Sequence, residues 1–428
     1  MLQTLRNAWK VEDIRKKILF TLLILLLYRI GNSIPVPYVN VAALEQYFAY
    51  MQNTVLGMLD VMSGGAFSTA TIFALSIQPY INASIIMQLL TIAIPALERM
   101  SKEEGEEGKK KIAAITRYAT VGIGLIQGFA YYMLMKNNGI IATEAADSVW
   151  AAIVIVLTFT SGSALIMWLG EQITEHGIGN GISMILFASI VSRFPTSLIT
   201  SIRNCVAGSL QWWVVVLMYL GALAIIILIV FVNDAERRIP VQYAKRVVGR
   251  KMYGGQSTHL PMKVNMSGVM PIIFAQSIAS LPATIAAFTG KADGWFMRNF
   301  DTNSIPYAIA FFLLIIFFAY FYSTIQFNPI EVANNLKKNG GYIPGFRPGK
   351  PTSEFIQRVL NKITLFGAVY LGIIAVVPIL ISHFSESAAL TGLSLGGTSI
   401  IIVVGVAVET IRTLEGELMM RNYKGFLS

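Results

Sequence analysis

Ten times along the chain a run of about twenty predominantly apolar residues recurs, each long enough to cross the hydrocarbon core of a bilayer as a helix. The runs are Ile18–Ile34, Leu75–Ile94, Tyr118–Met135, Val149–Leu169, Ile182–Ile202, Trp212–Val232, Val269–Phe288, Ile305–Phe327, Ile363–Phe384 and Thr398–Val408 with its flanks. Only 13% of the residues are charged, half the share of a soluble domain, so the runs form a polytopic membrane protein. No small-residue cleavage site follows the first run, which therefore reads as a span and not as a removed signal peptide.

The basic residues orient the spans. Placing the N-terminus, every second loop and the C-terminus on one side collects 27 of the 33 lysines and arginines there. The other six are Arg29, Lys136, Arg193, Arg203, Lys291 and Arg298. Positive residues stay in the cytoplasm, so both termini are expected inside, and an odd span count would destroy the asymmetry.

The spans divide by composition. The fourth, sixth, eighth and ninth are nearly uniform in Leu, Ile, Val and Phe and suit lipid or the outside of a bundle. The second, fifth, seventh and tenth carry Asn82, Gln88, Asn180, Ser183, Ser189, Gln276, Ser277, Gly397, Thr398 and Ser399, and are expected to face helix partners or water. The fifth reads as a short span ended by Arg193, a residue too costly for the bilayer centre and expected near the outer surface or in a wet vestibule. Five spans lie on each side of the midpoint, a weak pointer to two related halves around a central path.

One stretch fits no simple span. In Ser63–Leu90, SGGAFSTATIFALSIQPYINASIIMQLL, two glycines and several small polar residues precede a Gln78-Pro79 break. A short re-entrant helix over about Leu59–Ala74 followed by a pore-lining span is one reading; a kinked span packed inside a bundle is the other, and composition supports both. Two loops, 233–267 and 328–362, are long and basic. Cytoplasmic charge bias alone accounts for part of this, but long ordered loops also suit a phosphate-rich or acidic docking partner.

Catalytic chemistry has little support. His176, His259 and His383 are scattered, no HExxH occurs, and Gly349-Lys350 lacks the rest of a phosphate-binding loop. Mid-span aspartates of the kind used by intramembrane proteases or ion-coupled carriers are not seen. Cys205 is the sole cysteine, so neither an intrachain disulfide nor a cysteine metal site is possible. No cofactor and no metal are expected. A passive conduit remains, with a small-solute carrier or a membrane scaffold as alternatives.

Six motifs, in order, carry a resemblance over nearly the whole length: SGGAFSTATIFALSIQPYINASIIMQLL, GEQITEHGIGNGISMILF, AERRIPVQYAKR, QSTHLPMKVNMSGVMPIIFA, NPIEVANNLKKNGGYIPGFRPG and GGTSIIIVV. The chain resembles the SecY family of protein-translocation channels. That resemblance implies an all-α polytopic fold of ten transmembrane helices in two pseudo-symmetric five-helix halves, residues 1–203 and 204–428, around a central pore. It implies a plug helix near 60–72, including Ser63, Gly64, Gly65, Ala66, Phe67, Ser68 and Thr69, which its small residues should bind loosely. It places an aliphatic pore ring at Ile81, Ile85, Leu186, Ile190, Ile273 and Ile402. The pairs Ile81/Ile85 and Leu186/Ile190 each share a helix face, which agrees. It places a side exit between the second and third spans and the seventh and eighth, with Gln88 and Gln127 as polar residues at that seam. It makes Arg250, Lys251, Lys263 and Arg347 the docking residues for the ribosome, through its RNA phosphates, and for the SecA motor. The implied partners are SecE and SecG, signal peptides, nascent polypeptides and lipid, and the implied location is the bacterial plasma membrane.

Overall fold

A computed structural model describes residues 2–51, 54–142, 148–208, 211–243, 246–248, 251–253, 257–266, 268–288, 304–384 and 388–424. Its helices are α1 (Leu2–Lys10), α2 (Glu12–Gly31), α3 (Val41–Tyr50), α4 (Val55–Met62), α5 (Gln78–Ala93), α6 (Pro95–Lys102), α7 (Gly105–Asn137), α8 (Val149–His176), α9 (Gly181–Val206), α10 (Trp212–Asp234), α11 (Met270–Phe288), α12 (Ile305–Gln326), α13 (Pro329–Lys338), α14 (Lys350–Phe384) and α15 (Ala388–Lys424). Each of the ten predicted spans falls on one of these: α2, α5, α7 to α12, α14 and α15. Among the described residues six helices are long and apolar enough to cross a membrane, and a seventh is added if the bent pair α5–α6 counts as one span. The bend is 103°, at Pro95, and it lays the amphipathic α6 across the end of α5.

Local signals set the boundaries. Pro79, read as an interruption, lies in the first turn of α5, where its missing N–H costs nothing. Asn180 caps α9 by accepting the N–H groups of Ile182 and Ser183 at 3.1 and 3.2 Å. The GIGN turn before it is held by Thr21 of α2, whose hydroxyl accepts the Ile178 N–H at 3.2 Å.

Three expectations are corrected. The fifth span is not short: α9 runs 26 residues, with Arg193 and Pro195 inside it. Arg193 need not end the helix because a carboxylate meets it there, as described below. The division after residue 203 therefore cuts a helix, and the break in the chain falls after Val206. Finally, the uniform spans are not all peripheral. Only 6% of the most apolar window of α10 is buried, but 50% of that of the ninth span is. Leucine packs on leucine as readily as on lipid, so composition alone does not separate the two.

The largest buried cluster joins α2, α5, α8, α9, α11, α12, α14 and α15. A second gathers α3, α4, α7 and α8 around Phe67 and Tyr131. The two long loops form a third unit. Strand β1 (Glu236–Tyr243) pairs antiparallel with β4 (Ser257–Lys263), and β5 (Gly341–Tyr342), from the second loop, adds to the other edge of β1. Between β1 and β4, β2 (Arg246–Val248) and β3 (Lys251–Tyr253) make a separate hairpin. The alternation in RRIPVQY puts Ile239 and Val241 into a core with Met262, Ile343, Ile356 and Leu360, so one small domain draws on both loops.

Candidate functional site

The helix expected over 60–72 is shorter and earlier: α4 ends at Met62, and the chain from Ser63 to Ile77 is a run of turns with one isolated bridge, Pro35 to Thr71. Gly64 and Gly65 adopt φ of 69° and 94°, which no helix can continue, and Ala70 and Ser76 follow at 42° and 50°. Ser63 folds the turn: its hydroxyl donates to the Asp60 carbonyl at 2.9 Å and accepts the Phe67 N–H at 3.0 Å. The Gly65 carbonyl accepts the hydroxyls of Ser68 and Thr69 at 3.2 and 2.8 Å.

Nor is this segment loosely held. Ser63, Ala66 and Phe67 are buried. Tyr28 and Asn32 of the first span donate to the Ser63 carbonyl at 3.3 and 3.2 Å, and Arg29 donates to Gly64 at 3.3 Å. Tyr131 donates to the Phe67 carbonyl and stacks on the Phe67 ring at 4.3 Å, while Phe48 meets that ring edge-on at 5.3 Å. The backbone adds Val36 N–H to Ala70 at 2.9 Å and Ile72 N–H to Ile34 at 3.0 Å. Asp60 accepts the Ser68 N–H at 2.7 Å on one oxygen and pairs with the Arg193 guanidinium on the other. The glycines serve close approach: a Cβ on Gly65 would stand 3.1 Å from the Arg193 guanidinium, and one on Gly64 3.1 Å from the Ser189 carbonyl.

Next to this polar seat lies an apolar centre. Ile81, Ile85, Leu186, Ile190, Ile273 and Ile402 are all buried, between 1% and 8% exposed, and all belong to the one cluster formed by α5, α9, α11 and α15 with their neighbours. They come from four different helices of both halves. The plug segment touches that cluster through Met62, whose sulfur accepts amide N–H groups from Gln78 of α5 at 3.3 Å and Gln276 of α11 at 3.1 Å.

At the seam, Gln88 of α5 accepts the Tyr322 hydroxyl of α12 at 2.8 Å and donates to Ser84 at 3.3 Å. Gln127 of α7 lines a pocket with Gln78, Asn82, Ser277 and Ser280, so the two glutamines lie where the second and third spans meet the seventh and eighth.

The docking candidates that are described lie on separate elements. Arg250 lies outside the described residues, and Lys251 opens β3 in the distal hairpin. Lys263 ends β4 opposite Glu236, at the membrane-proximal base, where partial burial and then the Arg412 guanidinium hold its ammonium below the usual lysine range. Lys263 is thus removed from the hairpin tip. Arg347 is exposed on a braced turn: its carbonyl accepts the Thr352 hydroxyl at 2.8 Å, and Phe346 beside it stacks on Phe355 at 4.2 Å.

Comparison with known proteins decides the family. The SecY family model matches residues 71–411. The chain belongs to the SecY family. The protein translocase subunit SecY of Streptomyces scabiei is 44% identical over 442 aligned positions, covering both chains completely. A solved structure described as a protein-conducting channel superposes with a TM-score of 0.68 at 16% identity, over 94% of this chain and 92% of that one. A channel from a canine ribosome-channel complex of the endoplasmic reticulum gives 0.64 at 15%, over the same shares. The chain is therefore a multi-pass membrane protein of a translocation-channel family, not of an enzyme family.

Sequence reasoning missed Tyr28, Asn32, Tyr131 and Tyr322, and the partners of Asp60 and Met62 within the expected plug. The usable signal was charge: Asp60 and Arg193 each stand isolated in apolar sequence, and isolated opposite charges at membrane depth tend to find each other.

Proposed function

We propose that this chain is the channel through which unfolded secretory polypeptides cross the bacterial plasma membrane, and from which transmembrane segments pass sideways into lipid. The observation that carries the reading is the juxtaposition of six buried branched aliphatic side chains from four helices with a polar plug packed beside them. Such side chains offer water no hydrogen bonds, so a narrow ring of them stays dry and stops ions, yet grips no particular sequence in a passing chain. A segment of about twenty apolar residues gains free energy by leaving for lipid, and the seam bridged by Gln88 and Tyr322 is the exit. The division into halves hinged near residue 207 follows from the same reading.

The channel has no engine of its own in this account. SecA or the ribosome pushes the chain, SecE and SecG complete the complex, and both termini lie in the cytoplasm, as the charge bias supports. The likeness to a channel taken from a ribosome complex supports a ribosome as partner. Arg347, exposed on its braced turn, and Arg250 and Lys251 of the first long loop are the contacts, because guanidinium and ammonium groups suit RNA phosphates. Lys263 has a lesser share. Vesicles containing the complex test the function directly. They should take up a radiolabelled precursor with motor and ATP. Arg347→Glu should cut that uptake several-fold with the channel still membrane-inserted, and normal uptake by this variant would remove the docking assignment.

A further inference from the structure

The attachments of the plug are lopsided, and one of them is a charge pair between segments far apart in sequence. Tyr28, Arg29, Asn32, Ile34, Val36, Tyr131 and Arg193, which hold it through hydrogen bonds or ionic contact, all precede residue 207. Toward the second half, among the described residues, the hydrogen bonding reduces to Gln276 and the Met62 sulfur, a soft and weak acceptor.

Asp60 is the keystone on the tightly held side. It sits in the last turn of α4, where the helix dipole opposes an anion, so its placement needs compensation. One carboxylate oxygen takes the Ser68 N–H and closes the loop 60–68 on itself; the other meets Arg193 and ties that loop to α9. The Asp60 side chain is 9% exposed and that of Arg193 35%, so losing either partner strands the other in a poorly hydrated place. The absence of a side chain at Gly65 lets the guanidinium reach in.

We propose that the Asp60–Arg193 pair is a latch that fixes the plug to the first half, so that parting of the two halves and release of the plug are separate steps. Parting the halves costs the plug its Gln276 hydrogen bond and the nonpolar packing of α4 and Met62 on α11 and α15, contacts that carry no charge pair, and it travels with α9. Release requires the ion pair to break. The inference rests on the channel reading above.

The test uses the complete complex in planar bilayers, with no driving partner present. Asp60→Asn keeps an oxygen for the Ser68 N–H and removes only the charge; Arg193→Gln removes the other charge. Each should raise the resting open probability about tenfold, as expected for uncoupling one partner of a half-buried pair. The double variant should be no leakier than either single one, because both remove the same interaction. Deletion of 63–71 is the control. If that deletion stays silent at rest and also under a driving motor with precursor, the channel reading fails. If it conducts while Asp60→Asn stays as tight as the parent, or if the two single effects multiply, the latch is wrong. A disulfide between cysteines placed at Pro35 and Thr71, which face each other across an antiparallel bridge between the end of the first span and the plug, in a Cys205→Ser background, gives a second measure that does not depend on the charge variants. Under a driving motor and precursor it should abolish conductance, while a spin-label pair across α5 and α12 still separates. Loss of both signals together would show a single step and overturn the proposal.

Discussion

The proposed waist and the proposed plug adjoin through Met62 and are built on opposite principles. The side chains proposed for the waist, Ile81, Ile85, Leu186, Ile190, Ile273 and Ile402, share one buried cluster and, being hydrocarbon, carry no hydrogen bond or charge. The plug is held by named donors and acceptors, one aromatic stack and one ion pair. Nonpolar contact has no direction and re-forms around any shape, which suits a seal that must part and close again. Directional bonds hold one geometry and break as discrete events, which suits a stopper that is either seated or not.

The contrast can be broken from either side. The largest effect is expected at the waist, where polarity is the threat: Ile81→Ser, Ile190→Ser and Ile273→Ser combined should turn a resting complex from closed to steadily ion-conducting in planar bilayers. Unchanged conductance would refute the dry-ring account. Next is Phe67→Ala, which empties the space between Phe48 and Tyr131. It should weaken plug seating by about 3–5 kcal/mol, read as lost hydrogen-exchange protection at the Phe67, Ser68 and Thr71 amides. Gly162→Ala follows. A Cβ there would collide with the Ile72 carbonyl at the end of the plug, and a cost of about 1–3 kcal/mol should show as a lower unfolding temperature in detergent. Tyr131→Phe keeps the stack and loses the hydroxyl to the Phe67 carbonyl, which should cost about 1 kcal/mol in the same exchange measurement. The smallest effect belongs to Leu186→Ile. A seal without directional contacts should tolerate the change of shape with unaltered resting conductance.

Much of this architecture is legible in the chain because its signals are local. The apolar runs themselves mark ten helices, and the Gln78-Pro79 break falls at a real boundary, although it opens a helix where the sequence suggests an interruption. The i,i+4 pairs on α5 and α9 point to shared faces without any coordinates. What escapes the sequence is relational. Arg193 reads as a span terminator until Asp60, 133 positions away, is seen beside it. The glycines at 64 and 65 read as looseness, whereas they admit a guanidinium and a neighbouring backbone. The ninth span reads as lipid-facing, because no composition distinguishes a leucine against tails from one against another helix.

The two residues of β5 have a mechanical consequence. By stitching the second long loop to the edge of the first, they make a rigid bracket whose feet are the ends of α10, α11, α12 and α14. A load applied to either loop is shared among four membrane columns at once, so the second half can be tilted as a unit.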